Sequence, residues 1–234
     1  MKQPTKIIDL THALDADNPY WPGDETRPFK VEPITRLEQH GFLSFAYWLP
    51  EHFGTHLDAP NHFSAAQMAV DEIPVENFFA PAVKIDLRDD ATKNPNYRWN
   101  IDDLERWEQI YGLIPTGGIV FLYTGWSDRW PNAKAYKNAD GGGVMRFPGF
   151  SEDAVEFMIK ERDIKAIGID NLSVDPGFST DFKVHRALNS AGKYALENVA
   201  NLDKLPPRGF FVIVAPIKIR GGSGGPARIF AVLP

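Results

Sequence analysis

Three histidines and an aspartate crowd into eleven positions of the run EHFGTHLDAPNHF, residues 51–63: His52, His56, Asp58 and His62. Neutral imidazole and carboxylate both bind a borderline divalent ion, at about 2.0–2.2 Å. His56 and Asp58 are two apart, so on an extended backbone they face the same side. His52 stands four before His56, a spacing that would also suit a helix, but Gly54, Thr55 and Pro60 oppose one. The run therefore reads as a strand or tight loop whose side chains converge on one point. Two chemistries fit that point. One is a histidine–carboxylate metal site; the other is a metal-free acid–base or hydrogen-bonded polar cluster.

Composition narrows the choice. The 234 residues are 43% hydrophobic and 24% charged, which suits one compact domain spanning 1–234 with a buried core. There is no cysteine, so disulfides, thiolate ligands and a cysteine nucleophile are excluded. Any transition metal must take its ligands from His, Asp, Glu or neutral oxygen and amide groups. The net charge of -6 lacks the basic footprint of a nucleic-acid binder. No apolar run approaches the roughly 20 residues of a membrane helix, and the N-terminus has no secretory pattern. A cytoplasmic protein acting on a small molecule, without nucleic-acid or membrane partners, is the expectation. Glycines 141–143 and 221–225 lack the Lys-Ser/Thr ending of a phosphate loop and read as turns, the second close to the final strand.

The elements that must position the cluster are mostly short. Runs rich in β-branched and aromatic residues predict strands at 6–10, 45–49, 82–86, 119–123, 166–169, 209–215 and 229–232. Helices are predicted at 100–110, with Asn100 as N-cap, and at 151–161, opening on Ser151. A third is expected to start near Asp181 and end at Gly192. Strands separated by a few long connections give an α/β domain with a mixed sheet and flanking helices.

The residues at this point resemble a known family. The run 51–63 looks like the HxGTHxDxPxHF signature of the cyclase family, matched at His52, Gly54, Thr55, His56, Asp58, Pro60, His62 and Phe63. Residues 21–24 (WPGD), 168–175 (GIDNLSVD), 184–206 and the tail GGSGGPARIFAV are similar to further family elements. That family includes kynurenine formamidases and isatin hydrolases. The resemblance implies its swivelling β/α/β fold and a two-metal site, usually zinc. One ion would be held by His52, His56 and Asp58, the other by a bridging Asp58 with His185 and Glu197. Without the resemblance, His185 reads as a helix-terminal residue and Glu197 as a solvated carboxylate. His62 is then expected to be the general acid/base, or else a residue that orients a ligand.

The implied activity is hydrolysis of a small amide or formamide C–N bond by metal-activated hydroxide, with N-formylkynurenine as the first substrate. The alternative within the same chemistry is a cyclic-amide, isatin-type hydrolase using a single manganese. A non-catalytic metal or small-molecule binder is a third reading. Trp21, Phe42, Phe45, Tyr47, Trp48, Phe63 and Trp126 are candidates for an aromatic substrate wall, against simple core packing. Asp24 would contact a substrate amine or cap a turn. Asp170 and Ser173 are expected to be structural near the site, and His12 and His40 match no ligand position. Extra sequence at 89–97 and 130–147 is expected to reshape a pocket mouth. A homodimer or homotetramer is implied.

Overall fold

A computed structural model describes residues 6–22 and 29–234. In chain order the elements are β1 (Lys6–Asp9), β2 (Lys30–Thr35), α1 (Leu37–His40), β3 (Ser44–Trp48), β4 (His56–Asp58), β5 (Phe79–Asp86), α2 (Arg88–Lys93), β6 (Arg98–Trp99), α3 (Ile101–Tyr111), β7 (Ile119–Tyr123), α4 (Ala133–Lys137), β8 (Gly149–Phe150), α5 (Glu152–Arg162), β9 (Ala166–Ile169), α6 (Lys183–Ser190), β10 (Tyr194–Glu197), β11 (Phe210–Pro216) and β12 (Gly224–Leu233). Among the described residues, no helix is long and apolar enough to cross a membrane.

Eight strands form one mixed sheet in the order β1-β12-β11-β5-β7-β9-β10-β4. The run β5–β7–β9–β10 is parallel and the other pairings are antiparallel. β12 is long enough to pair twice along one edge, with β4 through Gly224–Pro226 and with β1 through Phe230–Leu233. Its pairing with β4 closes the sheet into a barrel-like ring, with helices outside.

The strand sequences follow from that closure. On β7, Ile119, Phe121 and Tyr123 point into the barrel interior with Leu57, Leu196, Val212 and Ile229. Val120 and Leu122 point outward, under Leu104 and Trp107 of α3 and Val155 and Met158 of α5. Both faces are dry, so the strand is a continuous apolar run rather than an alternating one. The predicted caps are in place. Asn100 and Asp103 form a reciprocal capping box on α3, and the Ser151 side chain accepts from the Ala154 N–H.

Several elements differ from the sequence expectation. No strand is predicted at 194–197; these four residues become β10 by fitting between β9 and β4. Gly224 and Gly225, expected in a turn, begin β12. The third predicted helix is shorter, because Phe182 adopts a left-handed conformation just before it. β2 and β3 form a separate hairpin.

Candidate metal centre

Period-two geometry builds the site. On β4, Leu57 enters the barrel core, so His56 and Asp58 emerge together on the outer face. On β10, Leu196 enters the same core and Glu197 emerges outward, directly opposite His56 in the register. α6 crosses above this face and contributes His185 from its first turn. The chain entering β4 turns at Gly54, whose φ of +66° favours glycine. Thr55 Oγ1 donates to the Asn198 carbonyl (2.6 Å) and Asn198 Nδ2 donates to the Gly54 carbonyl (2.9 Å), tying the start of β4 to the end of β10.

The ligand-type atoms converge in two groups that share one residue. His52, His56 and Asp58 form one, and Asp58, His185 and Glu197 the other; within each, the donor atoms lie within 4.8 Å of one another. His56 Nε2 is 3.3 Å from Asp58 Oδ1 and 3.5 Å from Glu197 Oε2. His185 Nε2 is 3.3 Å from Asp58 Oδ2 and 3.2 Å from Glu197 Oε1. The opposite ring nitrogens are already committed. His56 Nδ1–H donates to the Gly54 carbonyl at 2.9 Å, and His185 Nδ1–H donates to Asp175 Oδ2 at 2.6 Å. Asp175 also accepts from the backbone N–H groups of Val184 and His185, so one carboxylate caps α6 and aims the ring.

This donor set suits a divalent ion. With both Nδ1 atoms donating outward, each Nε2 turns its lone pair toward carboxylate oxygens, which also offer only lone pairs. Something positive must stand between them: protons, or a cation. The electrostatics say the same. Burial works against the His56 imidazolium, but Asp58 and Glu197 outweigh it and push its pKa up to about 9. His185 is raised well above the ordinary histidine value, against burial, by Asp175, Asp58 and Glu197. Burial would raise Asp58, yet the surrounding imidazoles hold it well below the usual carboxylate range. Burial and the Asp58 charge together raise Glu197.

His62 stands apart from the ligand groups. It ends the short helical turn Pro60–His62 after β4 and stacks on His52, ring centroids 4.0 Å apart. Burial, reinforced by the neighbouring histidines and opposed by Asp58, lowers its pKa to about 4. It is therefore neutral at pH 7, with a ring-nitrogen lone pair to offer.

A cavity of about 340 Å³ opens onto these groups. Trp21 and Phe63, both expected as substrate contacts, line it with Tyr20, Pro50, Leu172 and Phe182. Phe63 packs on Phe182 and on the His185 ring, at 5.3 and 4.7 Å. Asp24 lies outside the described residues. The other aromatic candidates go elsewhere. Trp126 is buried in the core beside Phe147, and Phe42, Phe45, Tyr47 and Trp48 are exposed on and beside the β2–β3 hairpin. Ser173 lines the cavity, while Asp170 is buried behind it, accepting from Thr124 and Ser127. The segment 130–147 backs the cavity wall: Trp130, Tyr136 and Phe147 pack with Leu172 and Trp21. The segment 89–97 does not line it. His40 is exposed at the end of α1, its Nδ1 bonded to the Arg36 backbone.

Glu197, a metal ligand by the family resemblance and a solvated carboxylate without it, is 5% exposed. Sequence reasoning also passed over Asp175, Phe182, Glu51 and Ser223. Asp175 carried a usable signal, an aspartate ten residues before a candidate ligand; the others had none.

Comparisons with known proteins show the family. The family model described as putative cyclase matches residues 8–176. An isatin hydrolase from Roseibium aggregatum is 30% identical over 244 residues, covering 98% of this chain and 92% of that one. A kynurenine formamidase from Salinibacter ruber is 28% identical, covering 95% of each. The solved structure of isatin hydrolase A from Ralstonia solanacearum superposes with a TM-score of 0.92 at 35% identity, over 98% of this chain and 92% of that one. The chain belongs to the putative cyclase family.

Proposed function

We propose that the protein is a metal-dependent hydrolase cleaving the amide C–N bond of a small aromatic substrate. The observation that carries this reading is the meeting of two carboxylates and three imidazoles, a neutral fourth histidine and an apolar-walled cavity at one point. His52, His56 and Asp58 would hold one ion, and Asp58, His185 and Glu197 a second. Such ions supply Lewis-acid polarisation of the carbonyl and acidification of water. Two overlapping ligand groups support two ions per chain, with zinc the first to test and manganese the second.

The chain's own residues do the rest. Neutral His62 accepts a proton from the attacking water and passes it to the departing nitrogen, which is a poor leaving group unless protonated. Phe63, Phe182 and Trp21 receive the aromatic ring and exclude water from it. Two substrates follow from separate observations. The whole-chain overlay on isatin hydrolase A supports a cyclic aromatic amide such as isatin. The kynurenine formamidase relatives support N-formylkynurenine. Metal-replete protein should open isatin or release formate from N-formylkynurenine, and chelation should abolish either reaction. Failure on both substrates would refute the substrate class. Activity undiminished by exhaustive chelation would refute the metal.

The reading includes self-association. The hairpin region exposes Val31, Ile34, Leu37, Phe42, Tyr47 and Trp48. A second copy of this chain, in a two-fold dimer, is the partner that would cover it.

A further inference from the structure

Ser223 sits in the glycine-rich stretch of the tail, far in sequence from the histidine run, yet its hydroxyl touches that run twice. His52 Nε2 is 3.1 Å from Ser223 Oγ. Ser223 Oγ donates to Glu51 Oε2 at 2.6 Å, and the Ser223 backbone N–H donates to the same oxygen at 3.2 Å. On its other side, His52 Nδ1 is 2.5 Å from Asp58 Oδ1.

Hydrogen counting fixes the direction of this chain. An ionised carboxylate only accepts, and a serine hydroxyl has a single proton to give. The short, charge-assisted bond to Glu51 takes that proton. Ser223 therefore offers His52 only a lone pair, and His52 Nε2 must carry the ring hydrogen. On the other side, Nδ1 faces Asp58 Oδ1, which also only accepts, so a proton or a cation stands between them; when a cation takes that place, Nδ1 is the nitrogen left to bind it. His56 and His185 are arranged the other way, donating from Nδ1 and presenting Nε2.

The flanking glycines have a spatial reason that matches. A Cβ at Gly222 would lie 2.9 Å from Glu51 Oε1, and one at Gly224 would lie 2.7 Å from His52 Cε1 and collide with the Leu57 carbonyl oxygen. Neither glycine has a left-handed φ. Their lack of side chains makes room for Glu51 on one side of Ser223 and His52 on the other.

We propose that Glu51 and Ser223 are positioning residues that lock His52 as the Nε2–H tautomer, so that it meets the metal through Nδ1 while His56 and His185 meet it through Nε2. This rests on the metal-site reading above.

The test uses full-length protein, wild type, Ser223→Ala and Glu51→Ala, with zinc as the probe. In zinc-loaded, ¹⁵N-histidine-labelled wild type, the His52 spectrum should show a protonated Nε2 and a metal-bound Nδ1. Zinc affinity by chelator competition should fall about 10- to 100-fold in Ser223→Ala. It should fall in the same direction in Glu51→Ala, which stands in if the first variant does not fold. A role confined to holding the tail in place would lower thermal stability and leave both the tautomer and the zinc affinity unchanged, overturning the proposal. Zinc bound through His52 Nε2 in the wild type would overturn it alone. A wild type that takes up no divalent ion would overturn the metal-site reading and this proposal with it.

Discussion

At the scale of single residues, the site separates groups that hold charge from groups that move protons. His62 sits within a few ångströms of histidines driven toward the charged state, yet its own pKa falls to about 4. That places it in the neutral form across the physiological range, as a proton acceptor requires. Replacing His62 with alanine should lower kcat by about 10²–10⁴-fold, the usual worth of a positioned acid–base group, while metal content stays that of wild type. Steady-state kinetics beside elemental analysis checks both halves. A loss of metal that accompanies the loss of rate would make His62 an orienting residue instead. Asp175 makes the complementary case. Its carboxylate fixes the His185 ring and caps α6, so Asp175→Asn should weaken metal binding about 10- to 100-fold and leave the pocket shape intact. Chelator competition measures the first effect, and a crystal structure of the variant the second.

At the scale of elements, legibility in the sequence follows how local each element's cause is. β7 and β9 carry their own apolar runs, and the strands occupy the predicted residues 119–123 and 166–169. α3 and α5 announce their starts with Asn100 and Ser151. β10 has no such signal: Tyr194, Ala195, Leu196 and Glu197 become a strand because β9 and β4 offer two open edges. The site divides in the same way. His52, His56, Asp58 and His62 are neighbours in sequence and were readable from spacing. His185 and Glu197 needed the family resemblance, since only closure of the sheet and the crossing of α6 bring them in. Ser223 reaches the site through the pairing of β12 with β4, 165 positions from Asp58 in sequence. Gly54 joins the two kinds of cause. Its left-handed φ turns the chain into β4, and its carbonyl accepts the His56 proton. Gly54→Ala should therefore cost at least about 1–2 kcal/mol of stability, from backbone strain and from its Cβ meeting Leu14 Cδ2, and also weaken metal binding. Denaturant unfolding and chelator competition on the same sample check the pair of effects.

At the scale of the whole molecule, two features act away from the chemistry. One is the exposed hairpin. A two-stranded ribbon is marginal alone in water, and β2–β3 turns most of its side chains to solvent on both strands. Light scattering should give a dimer or tetramer mass for the wild type, and a double charge substitution, Phe42→Glu with Trp48→Lys, should shift it toward the monomer. The other is His12, which stacks flat on Trp130 at 3.9 Å with its Nε2 buried and without a hydrogen-bond partner among the described residues. Burial lowers its pKa to about 4, against 6.5 in the unfolded chain. The sign follows directly. Between those values the unfolded chain binds a proton that the folded chain refuses, so the stability present above pH 6.5 is lost as the pH falls toward 4. At pH 5 the difference amounts to about 2 kcal/mol. His12→Phe keeps a flat ring against Trp130 and removes the titration. Urea unfolding of metal-free wild type and variant at pH 7.5 and pH 5 should show the variant losing less stability on acidification, by about that amount. Comparing the two proteins cancels the contributions of His56, His185 and His62, which titrate in both. Equal losses would mean that the His12 ring nitrogen is hydrated in solution and takes its proton in the folded state.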